Sequence, residues 1–114
     1  MTVFAKIVAG EIPCKKVYED DQILAFHDIA PKARVHVLVI PKSSHMAGIA
    51  DAKLEDAALL GHMMVKIAEI AHKLGLEPGG YRVLTNNGPD SGQEVPHLHF
   101  HILGGERLGG LNVK

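Results

Sequence analysis

Short stretches of alternating apolar and polar residues predict five β-strands in this chain. β-Branched and aromatic residues are frequent in them, as is typical of strands that cover a core with one face. Asp20 and Asp21 separate the first two strands, which predicts a hairpin, and Pro41 is expected to end the third. The predicted strands span residues 16–19, 23–28, 35–40, 81–85 and 97–102.

Two helices are predicted from apolar residues spaced three and four apart. The short helix covers residues 3–9, with Thr2 as its N-cap and Gly10 after its end. The long helix covers residues 52–74, with Asp51 as its N-cap. Together these elements predict an α+β fold: an antiparallel sheet of about five strands with one long helix and a short N-terminal helix.

The long helix carries two apolar stripes, one more than a helix needs to cover a single sheet. A second buried contact is therefore expected, most simply with another copy of the chain, and Gly61 would allow close approach there. The sequence thus predicts a homodimer through this helix. One stripe contains Ala57, Leu60, Met64, Ile67, Ala71 and Leu74, and the other Leu54, Ala58, Gly61, Val65 and Ala68.

The composition narrows the class of protein. The 114 residues fit one domain, 1–114, with the 46% hydrophobic and 22% charged residues of an ordinary soluble globular protein. A net charge of −1 provides no field for binding a nucleic-acid duplex. The single cysteine, Cys14, excludes an intrachain disulfide and a CxxC pair. Neither a signal sequence nor an apolar stretch of about 18 residues is present, so a cytoplasmic protein without membrane contact is expected.

His97, His99 and His101 alternate with apolar residues near the C-terminus. In a strand, alternate side chains share one face, so the three imidazoles are predicted to line one face while the apolar residues face a core. Such a row is compatible with three interpretations: a metal site, solvent-facing histidines without a functional role, and nucleophilic catalysis at phosphorus. The candidates for a further metal ligand are His36, His45 and Glu94.

The loop before the histidine row favours catalysis at phosphorus. Gly88, Ser91 and Gly92 allow backbone N–H groups to turn toward an anion. Asn86 and Gln93 add side-chain amide donors, so a set of donors suited to a phosphate leads into the row. A neutral imidazole can attack phosphorus while its neighbours orient it and protonate a leaving group. This chemistry requires no metal and no cofactor.

The run His-Leu-His-Phe-His-Ile-Leu at residues 97–103 resembles the His-φ-His-φ-His-φ-φ signature of the histidine triad superfamily, where φ is apolar. Further short matches, in order along nearly the whole chain, are similar to the Hint branch, the histidine triad nucleotide-binding proteins. They lie at residues 7–13, 19–21, 25–29, 39–42, 60–62, 80–82, 92–95 and 103–105. The resemblance implies a histidine-triad-like fold and a homodimer.

The resemblance also implies an activity. Hint proteins bind purine nucleoside monophosphates such as AMP and hydrolyse purine nucleoside 5′-phosphoramidates through a nucleotidyl-histidine intermediate. By this resemblance His99 would attack the α-phosphorus, His101 would donate a proton to the departing amine, and His97 would orient the nucleophilic ring. Three alternatives stay open: dinucleoside polyphosphate hydrolysis, nucleotidyl transfer, and nucleotide binding or an adaptor role without catalysis.

The resemblance further assigns residues to nucleotide binding. Asp28 would hold the ribose, because one carboxylate can accept hydrogen bonds from both hydroxyls of a vicinal diol. Asn86, Gly92 and Glu94 would contact the phosphate, Glu94 through its backbone N–H. His45 is expected, at most, to support the histidines from behind. The base pocket would comprise Phe4, Ile7, Phe26, His27, Ile29 and Leu38.

Overall fold

The computed structural model describes residues 1–110, and a five-stranded sheet forms the frame of the fold. The strands are β1 (Lys16–Glu19), β2 (Ile23–His27), β3 (Val35–Pro41), β4 (Tyr81–Leu84) and β5 (Phe100–Gly104). They lie in the order β1-β2-β3-β5-β4, and every neighbouring pair is antiparallel. The predicted α+β architecture is confirmed. In the part of the chain described, no helix has the length and apolar character needed to cross a membrane.

The register of the central strands decides which side chains share a face. β3 lies between β2 and β5, and Leu38 is opposite both Phe26 and His101. Leu84 of β4 is also opposite His101. Because cross-strand partners share a face, His101 lies in the middle of the sheet on the same face as Leu38 and Phe26. The alternate residues of β3 point to the other face.

The long helix α2 (Ala57–Lys73) covers that other face of the sheet. It contributes four buried residues, Met63, Ile67, Ile70 and Ala71. Burial of this apolar set supplies most of the driving force for folding. The remaining buried residues of this core are Ile23, Ala25, Val37, Val39, Met46, Leu76, Leu98, Phe100 and Ile102.

The short helix α1 (Val3–Val8) packs on the face that carries His101. The Thr2 hydroxyl accepts a hydrogen bond from the Ala5 N–H at 3.1 Å, which confirms Thr2 as the N-cap. Phe4 is buried, and its ring meets the ring of Phe26 edge to face with centroids 5.8 Å apart. The buried core of this face is completed by Leu24, Leu38 and Ile40.

The long helix begins later than the sequence predicts. Two single 3₁₀ turns, Ile49–Asp51 and Leu54–Asp56, precede α2, which starts at Ala57. Ala52 and Lys53 lie between these turns with extended backbones, at ψ values of 136° and 172°. An extended residue breaks the series of helical hydrogen bonds, so the segment before Ala57 cannot belong to the same helix.

The prediction that Asp51 caps the long helix is wrong for the same reason. Asp56 holds the N-cap position of α2. The Asp51 carboxylate instead accepts a hydrogen bond from the Ala47 N–H at 2.9 Å.

The histidine row is only partly a strand. β5 begins at Phe100, so the first two histidines of the row precede it. The Leu98 N–H donates to the carbonyl of Met46 at 3.0 Å, outside the sheet. The Thr85 hydroxyl, rather than a backbone N–H of β4, donates to the carbonyl of His99 at 2.6 Å. The ladder therefore stops early, and the predicted fifth strand is wrong in its first half.

The helix α2 keeps an apolar face that the rest of the described chain does not cover. Val65 is 59% exposed, and Leu54, just before the helix, is 90% exposed. In the first stripe, which is expected to face the sheet, Ile67 is buried but Met64 is exposed. Met63 and Ile70, which belong to neither predicted stripe, are buried as well. The exposed second stripe, here called the outer stripe, consists of Leu54, Ala58, Gly61, Val65 and Ala68.

Candidate active site

Three histidine rings pack together on the face of the sheet opposite α2. The ring centroid of His101 lies 5.0 Å from that of His99 and 5.1 Å from that of His36. His36, on β3, is 4% exposed, and His99 is 6% exposed. At this separation each ring influences its neighbours, so the position of every ring proton matters for the chemistry.

His99 has its proton fixed by a backbone oxygen. Its Nδ1 lies 2.7 Å from the carbonyl oxygen of His97. A carbonyl oxygen only accepts, so Nδ1 carries the proton and Nε2 keeps its lone pair. The ring of Phe4 meets the His99 ring edge to face at a centroid distance of 4.9 Å. His99 thus presents an unprotonated, positioned Nε2, which is the form of imidazole that acts as a nucleophile.

His36 and His101 form a hydrogen-bonded chain that leaves the proton of His101 on Nε2, whereas the proton of His99 is on Nδ1. The Lys32 N–H lies 3.0 Å from His36 Nδ1, and a backbone N–H only donates, so that nitrogen accepts. His36 Nε2 therefore carries the proton and donates to His101 Nδ1, 2.8 Å away. The remaining nitrogen of His101, Nε2, then carries a proton. Among the described residues it is buried without a hydrogen-bond partner.

Burial keeps these rings neutral. The pKa of His101 falls to about 4, first because the ring is buried and then because His99 and His36 lie beside it. Burial likewise lowers the pKa of His99, more than its bond to the His97 carbonyl raises it. Burial lowers the pKa of His36 as well, against the opposite pull of Asp28. Near neutral pH the site therefore pairs an imidazole lone pair with an imidazole N–H.

His97 has both ring nitrogens committed to the fold. Its Nε2 donates to the carbonyl of Pro41 at 2.9 Å, and its Nδ1 lies 3.4 Å from the Thr2 hydroxyl. Its ring also meets Phe4, with centroids 5.9 Å apart. The contact between His97 and His99 is therefore made by the His97 backbone oxygen, while the ring ties α1 to the end of β3.

The loop of residues 86–94 is shaped by glycines. Gly88 and Gly92 have φ values of 85° and 83°, which non-glycine residues rarely adopt, on either side of the 3₁₀ turn Pro89–Ser91. The Gly92 N–H donates to the Pro89 carbonyl at 3.0 Å within this turn. Within residues 1–110 the Glu94 N–H has no hydrogen-bond partner, and its carboxylate side chain is exposed. The loop thus keeps a free backbone donor for an anion.

Gln93 does not supply the amide donor that the sequence suggests. Its Nε2 donates to the carbonyls of Ala47, at 2.7 Å, and Val95, at 3.0 Å. Its Oε1 accepts from the Gly88 N–H at 2.8 Å. The side-chain amide of Asn86 has no such bonds within the described chain, so it is the one still open to a ligand.

The residues expected to bind the nucleoside divide into two groups. Phe4, Phe26 and Leu38 are buried in one cluster, and Ile7 packs against it. His27 and Ile29 lie outside this cluster and are exposed, Ile29 at 97%. The structure therefore brings together the aromatic and aliphatic part of the predicted base pocket and leaves its other part at the surface.

Asp28 lies beside the histidines. Its Oδ2 is 3.5 Å from His36 Nε2, and its Oδ1 accepts from the Ala30 N–H at 2.8 Å. His45 lies elsewhere: its Nε2 is 2.9 Å from the Asp56 carboxylate at the start of α2, and the ring is largely exposed. The structure thus groups Asp28 with His36, and it places His45 in the loop after β3, where its partner is Asp56.

A metal site is disfavoured by the hydrogen bonds around His36. Nitrogen and oxygen atoms of Asp28, His36 and His101 lie within 4.8 Å of one another, close enough for a shared ion. A ligating histidine donates its second ring N–H to an acceptor. His36 Nδ1 faces the Lys32 N–H, a donor, so its Nε2 is protonated and cannot ligate. His45 and Glu94, the other candidate ligands, are not part of this cluster.

Residues 9–108 of the sequence match the HIT domain family. This range includes His36, the histidine row at 97–101 and the loop of residues 86–94. The chain belongs to the HIT domain family.

Relatives in the HIT domain family match almost the whole chain. A HIT-like protein from Helicobacter pylori is 50% identical over 107 residues, 94% of this chain and 99% of its own. A HIT-like protein from Synechococcus elongatus is 51% identical over 107 residues, 94% of this chain and 92% of its own.

Two solved structures share the fold. A HIT family hydrolase from Legionella pneumophila superimposes with a TM-score of 0.92 at 43% identity, covering 96% of each chain. A histidine triad nucleotide-binding protein from Candida albicans has a TM-score of 0.82 at 32% identity, covering 100% of this chain and 85% of its own.

Proposed function

We propose that this protein hydrolyses purine nucleoside 5′-phosphoramidates to nucleoside monophosphates, as a member of the Hint branch of the histidine triad superfamily. One observation carries the proposal: two neutral imidazoles, His99 and His101, lie side by side with opposite proton arrangements. One can attack an electrophile and the other can protonate a leaving group. Solved relatives described as a hydrolase and as a nucleotide-binding protein support this direction.

In the first step, His99 Nε2 attacks the α-phosphorus and forms a P–N bond. The bond between phosphorus and the substrate nitrogen breaks, and the amine leaves with the proton of His101 Nε2. His101 is left as an imidazolate, whose negative charge is balanced by the positive charge that develops on the His99 ring 5.0 Å away. The nucleotidyl-His99 intermediate carries a positive imidazolium, which its Nδ1–H bond to the His97 carbonyl stabilises. This stabilisation grows as charge develops, so it lowers the barrier rather than the energy of the bound substrate.

In the second step, water attacks the same phosphorus. His101 Nε2, now unprotonated, takes a proton from that water, and the P–N bond to His99 breaks. The lone pair returns to His99 Nε2, the nucleoside monophosphate leaves, and both histidines regain their starting proton arrangement. The cycle consumes one water molecule and needs neither a metal nor a cofactor.

The ligand would lie across the face that carries the histidines. Asp28 would accept hydrogen bonds from the ribose hydroxyls, and Asn86, Gly92 and Glu94 would surround the phosphate. Glu94 has its backbone N–H free for this role, and its exposed carboxylate can turn away from the anion. The purine would contact the apolar cluster next to His99. The base pocket of this proposal comprises Phe4, Ile7, Phe26, Leu38, His27 and Ile29.

We also propose that the protein is a homodimer through α2, because the outer stripe remains uncovered on a single chain. Contiguous exposed apolar residues on a helix are typical of a protein interface. A copy of the same chain is the simplest partner, since a two-fold axis places the stripe against itself.

The covalent step is tested by His99→Ala. We expect the variant to lose turnover of an adenosine phosphoramidate while it still folds and binds AMP. Rapid-quench mass spectrometry should detect a nucleotidyl adduct on the unmodified protein and none on the variant. His72→Ala, which removes an exposed histidine at the far end of α2, should leave turnover unchanged. Undiminished hydrolysis by His99→Ala would contradict the mechanism.

Substrate class is tested by comparing leaving groups. The unmodified protein should turn over an adenosine phosphoramidate faster than a diadenosine polyphosphate. The reverse order would assign the same covalent chemistry to dinucleoside polyphosphates. Tight AMP binding with no adduct in the quench would instead indicate a binding protein.

A further inference from the structure

One short segment, residues 46–50, contacts both halves of the proposed site. The Met46 carbonyl accepts from the Leu98 N–H at 3.0 Å, between the histidines of the row. The Ala47 carbonyl accepts from Gln93 Nε2 at 2.7 Å, and the Ala50 N–H donates to Asn87 Oδ1 at 2.8 Å. The segment is therefore bonded on one side to the histidine row and on the other to the loop of residues 86–94.

Gln93 is the central residue of this connection, because its side-chain oxygen and both N–H groups of its amide are hydrogen-bonded. Its two N–H bonds hold Ala47 and Val95, and its oxygen holds the Gly88 N–H, which lies across the 3₁₀ turn. A side chain bonded to three backbone groups fixes the relative positions of those groups. It leaves no donor for a ligand.

Gly48 leaves the space in which this connection is made. Its φ of −159° is ordinary extended backbone, so the glycine is not required for its conformation. It is buried, and a Cβ atom there would overlap the side-chain oxygen of Asn87 and approach Gln93 Oε1 to 3.3 Å. The absence of a side chain at position 48 thus allows Asn87 and Gln93 to reach the segment.

We propose that Gly48, Asn87 and Gln93 form a brace that sets the distance between the phosphate-binding loop and His99, with Gln93 as its principal positioning residue. The proposal rests on the proposed function, since it assigns the loop to phosphate. None of the three residues touches the substrate. They act through the loop backbone that carries Asn86 and Glu94.

Loss of the brace is expected to affect recognition of the phosphate and not recognition of the nucleoside. Base and ribose recognition are assigned to α1, β2, β3 and the turn after β2, none of which bonds to the brace among the described residues. Loss of the brace should therefore weaken recognition of the phosphate and slow the chemical step, while recognition of the nucleoside remains. A general loss of folding would weaken both.

Gln93→Glu tests this prediction with almost no change in shape. It removes both N–H donors and places a carboxylate oxygen against the carbonyls of Ala47 and Val95. Calorimetry should show AMP affinity reduced about tenfold or more and adenosine affinity unchanged. The value of kcat/KM should fall roughly 10- to 100-fold, as expected when a reacting group shifts by about 1 Å. Gln22→Glu, the same change at an exposed position, should alter none of these values.

A double-mutant cycle tests the role of Gly48. Gly48→Ala should reduce AMP affinity by pushing the Asn87 amide away from the Ala50 N–H. In an Asn87→Ala background the same change should add little, because the overlapping oxygen is gone. Gly79→Ala is the matched control, since a Cβ there meets nothing within 4 Å and the backbone needs no positive φ.

The outcomes separate the brace from the proposed function. If Gln93→Glu keeps the wild-type ratio of AMP to adenosine affinity, or loses both affinities equally, the brace is wrong. Additive effects of Gly48→Ala and Asn87→Ala would overturn the role of Gly48. If the unmodified protein binds AMP no more tightly than adenosine and turns over no phosphoramidate, the proposed function itself fails.

Discussion

At the scale of single residues, backbone groups decide the proton positions of the site. The His97 carbonyl makes His99 a lone-pair donor, and the Lys32 N–H makes His36 pass a proton toward His101. In both cases the deciding partner can only accept or only donate, so the tautomer follows without a charged residue. The proposed acid, His101, and the proposed nucleophile, His99, therefore have their ring protons placed before any ligand binds.

His36 is expected to be a positioning residue for His101. His36→Leu removes the donor to His101 Nδ1, so that either nitrogen of His101 can carry the proton. We expect kcat to fall about 10²- to 10⁴-fold, the usual contribution of a general acid, with little change in KM. His36→Gln keeps one acceptor and one donor and should retain more activity than His36→Leu. Steady-state kinetics that show equal kcat for both variants and the wild type would refute this role.

The pH dependence of the reaction should reflect the lowered pKa of His99. Only the neutral ring has a nucleophilic Nε2, and its pKa lies below the ordinary 6.5 because the ring is buried. The value of kcat/KM should therefore stay level as pH falls through 6.5 and decline only at lower pH. Phe4→Ala, which uncovers the ring, should move this decline toward 6.5. A decline centred above 6.5 in the wild type would contradict a buried neutral nucleophile.

The sequence identifies the histidine row and offers His36 only as a candidate metal ligand, not as the ring that bonds to His101. His36 stands alone in an apolar β-branched strand, which is the one local signal it gives. Its contact with His101 depends on the register of β3 against β5, and these two strands are not joined by a hairpin whose turn would set that register. The prediction that the Gln93 amide donates to a ligand is wrong for a related reason: the direction of this loop side chain is set by backbone groups that are distant in sequence, such as the Ala47 carbonyl.

At the scale of elements, strands are predicted more accurately than the edges of helices. Four of the five strands agree with the alternation pattern to within one residue, because alternation reports directly on a half-buried sheet. The start of α2 is missed because residues 52–56 include good helix formers. In the structure the Ala52 N–H donates to the Ile49 carbonyl and the Lys53 N–H to the Asp56 carboxylate, and both residues are extended. The outer stripe was expected from periodicity, and the structure exposes it.

The helix α1 is expected to support the site as well as the core. Thr2→Ala removes both the cap on the Ala5 N–H and the contact with the His97 ring. Loss of an N-cap typically costs about 1 kcal/mol in the free energy of unfolding. Thr2→Ser keeps the hydroxyl and should restore most of the stability. Urea unfolding followed by circular dichroism measures the difference, and equal midpoints for the Ala and Ser variants would show that the cap contributes nothing.

At the scale of the whole molecule, the sheet separates two functions of the chain. One face holds the main core under α2, and the other holds α1 and the histidines. Substitutions on the α2 side should therefore affect folding or association, while those on the histidine side should affect chemistry. This division follows from the period of two along each strand.

The proposed dimer is tested at the outer stripe. Val65→Glu places a charge in the middle of the stripe, and its burial against a second copy would be strongly unfavourable. Light scattering should show a dimer for the wild type and a monomer for the variant. Lys73→Glu, an exposed charge change on the same helix outside the stripe, should leave the mass unchanged. A monomeric wild type would disprove the dimer directly.

Stability should fall as pH drops below 6.5. His36, His99 and His101 have folded-state pKa values below 6.5, so the unfolded chain binds more protons just below that pH. Their contribution is complete above 6.5 and is lost as pH falls toward the folded pKa values, about 4 for His101. Glu19, whose pKa is lowered to about 2 by Lys16 and Lys42, loses its contribution only below 4.5.

The window between pH 6.5 and about 4.5 thus isolates the histidines. Urea midpoints at the two ends of this window should differ less for His101→Gln than for the wild type, because one buried titrating group is gone. Equal pH dependence in the two proteins would mean that His101 protonates as easily in the folded chain as in the unfolded one.

The dependence on main-chain groups has a consequence for how this pocket can diversify. Every residue except proline has an N–H, so position 32 can change its side chain without disturbing the proton held by His36. The exposed side chains of Lys32 and Arg34 can therefore change while the Lys32 N–H still fixes the proton of His36. Under the proposed function, side chains around the site can thus diversify while the proton arrangement of the histidines is kept.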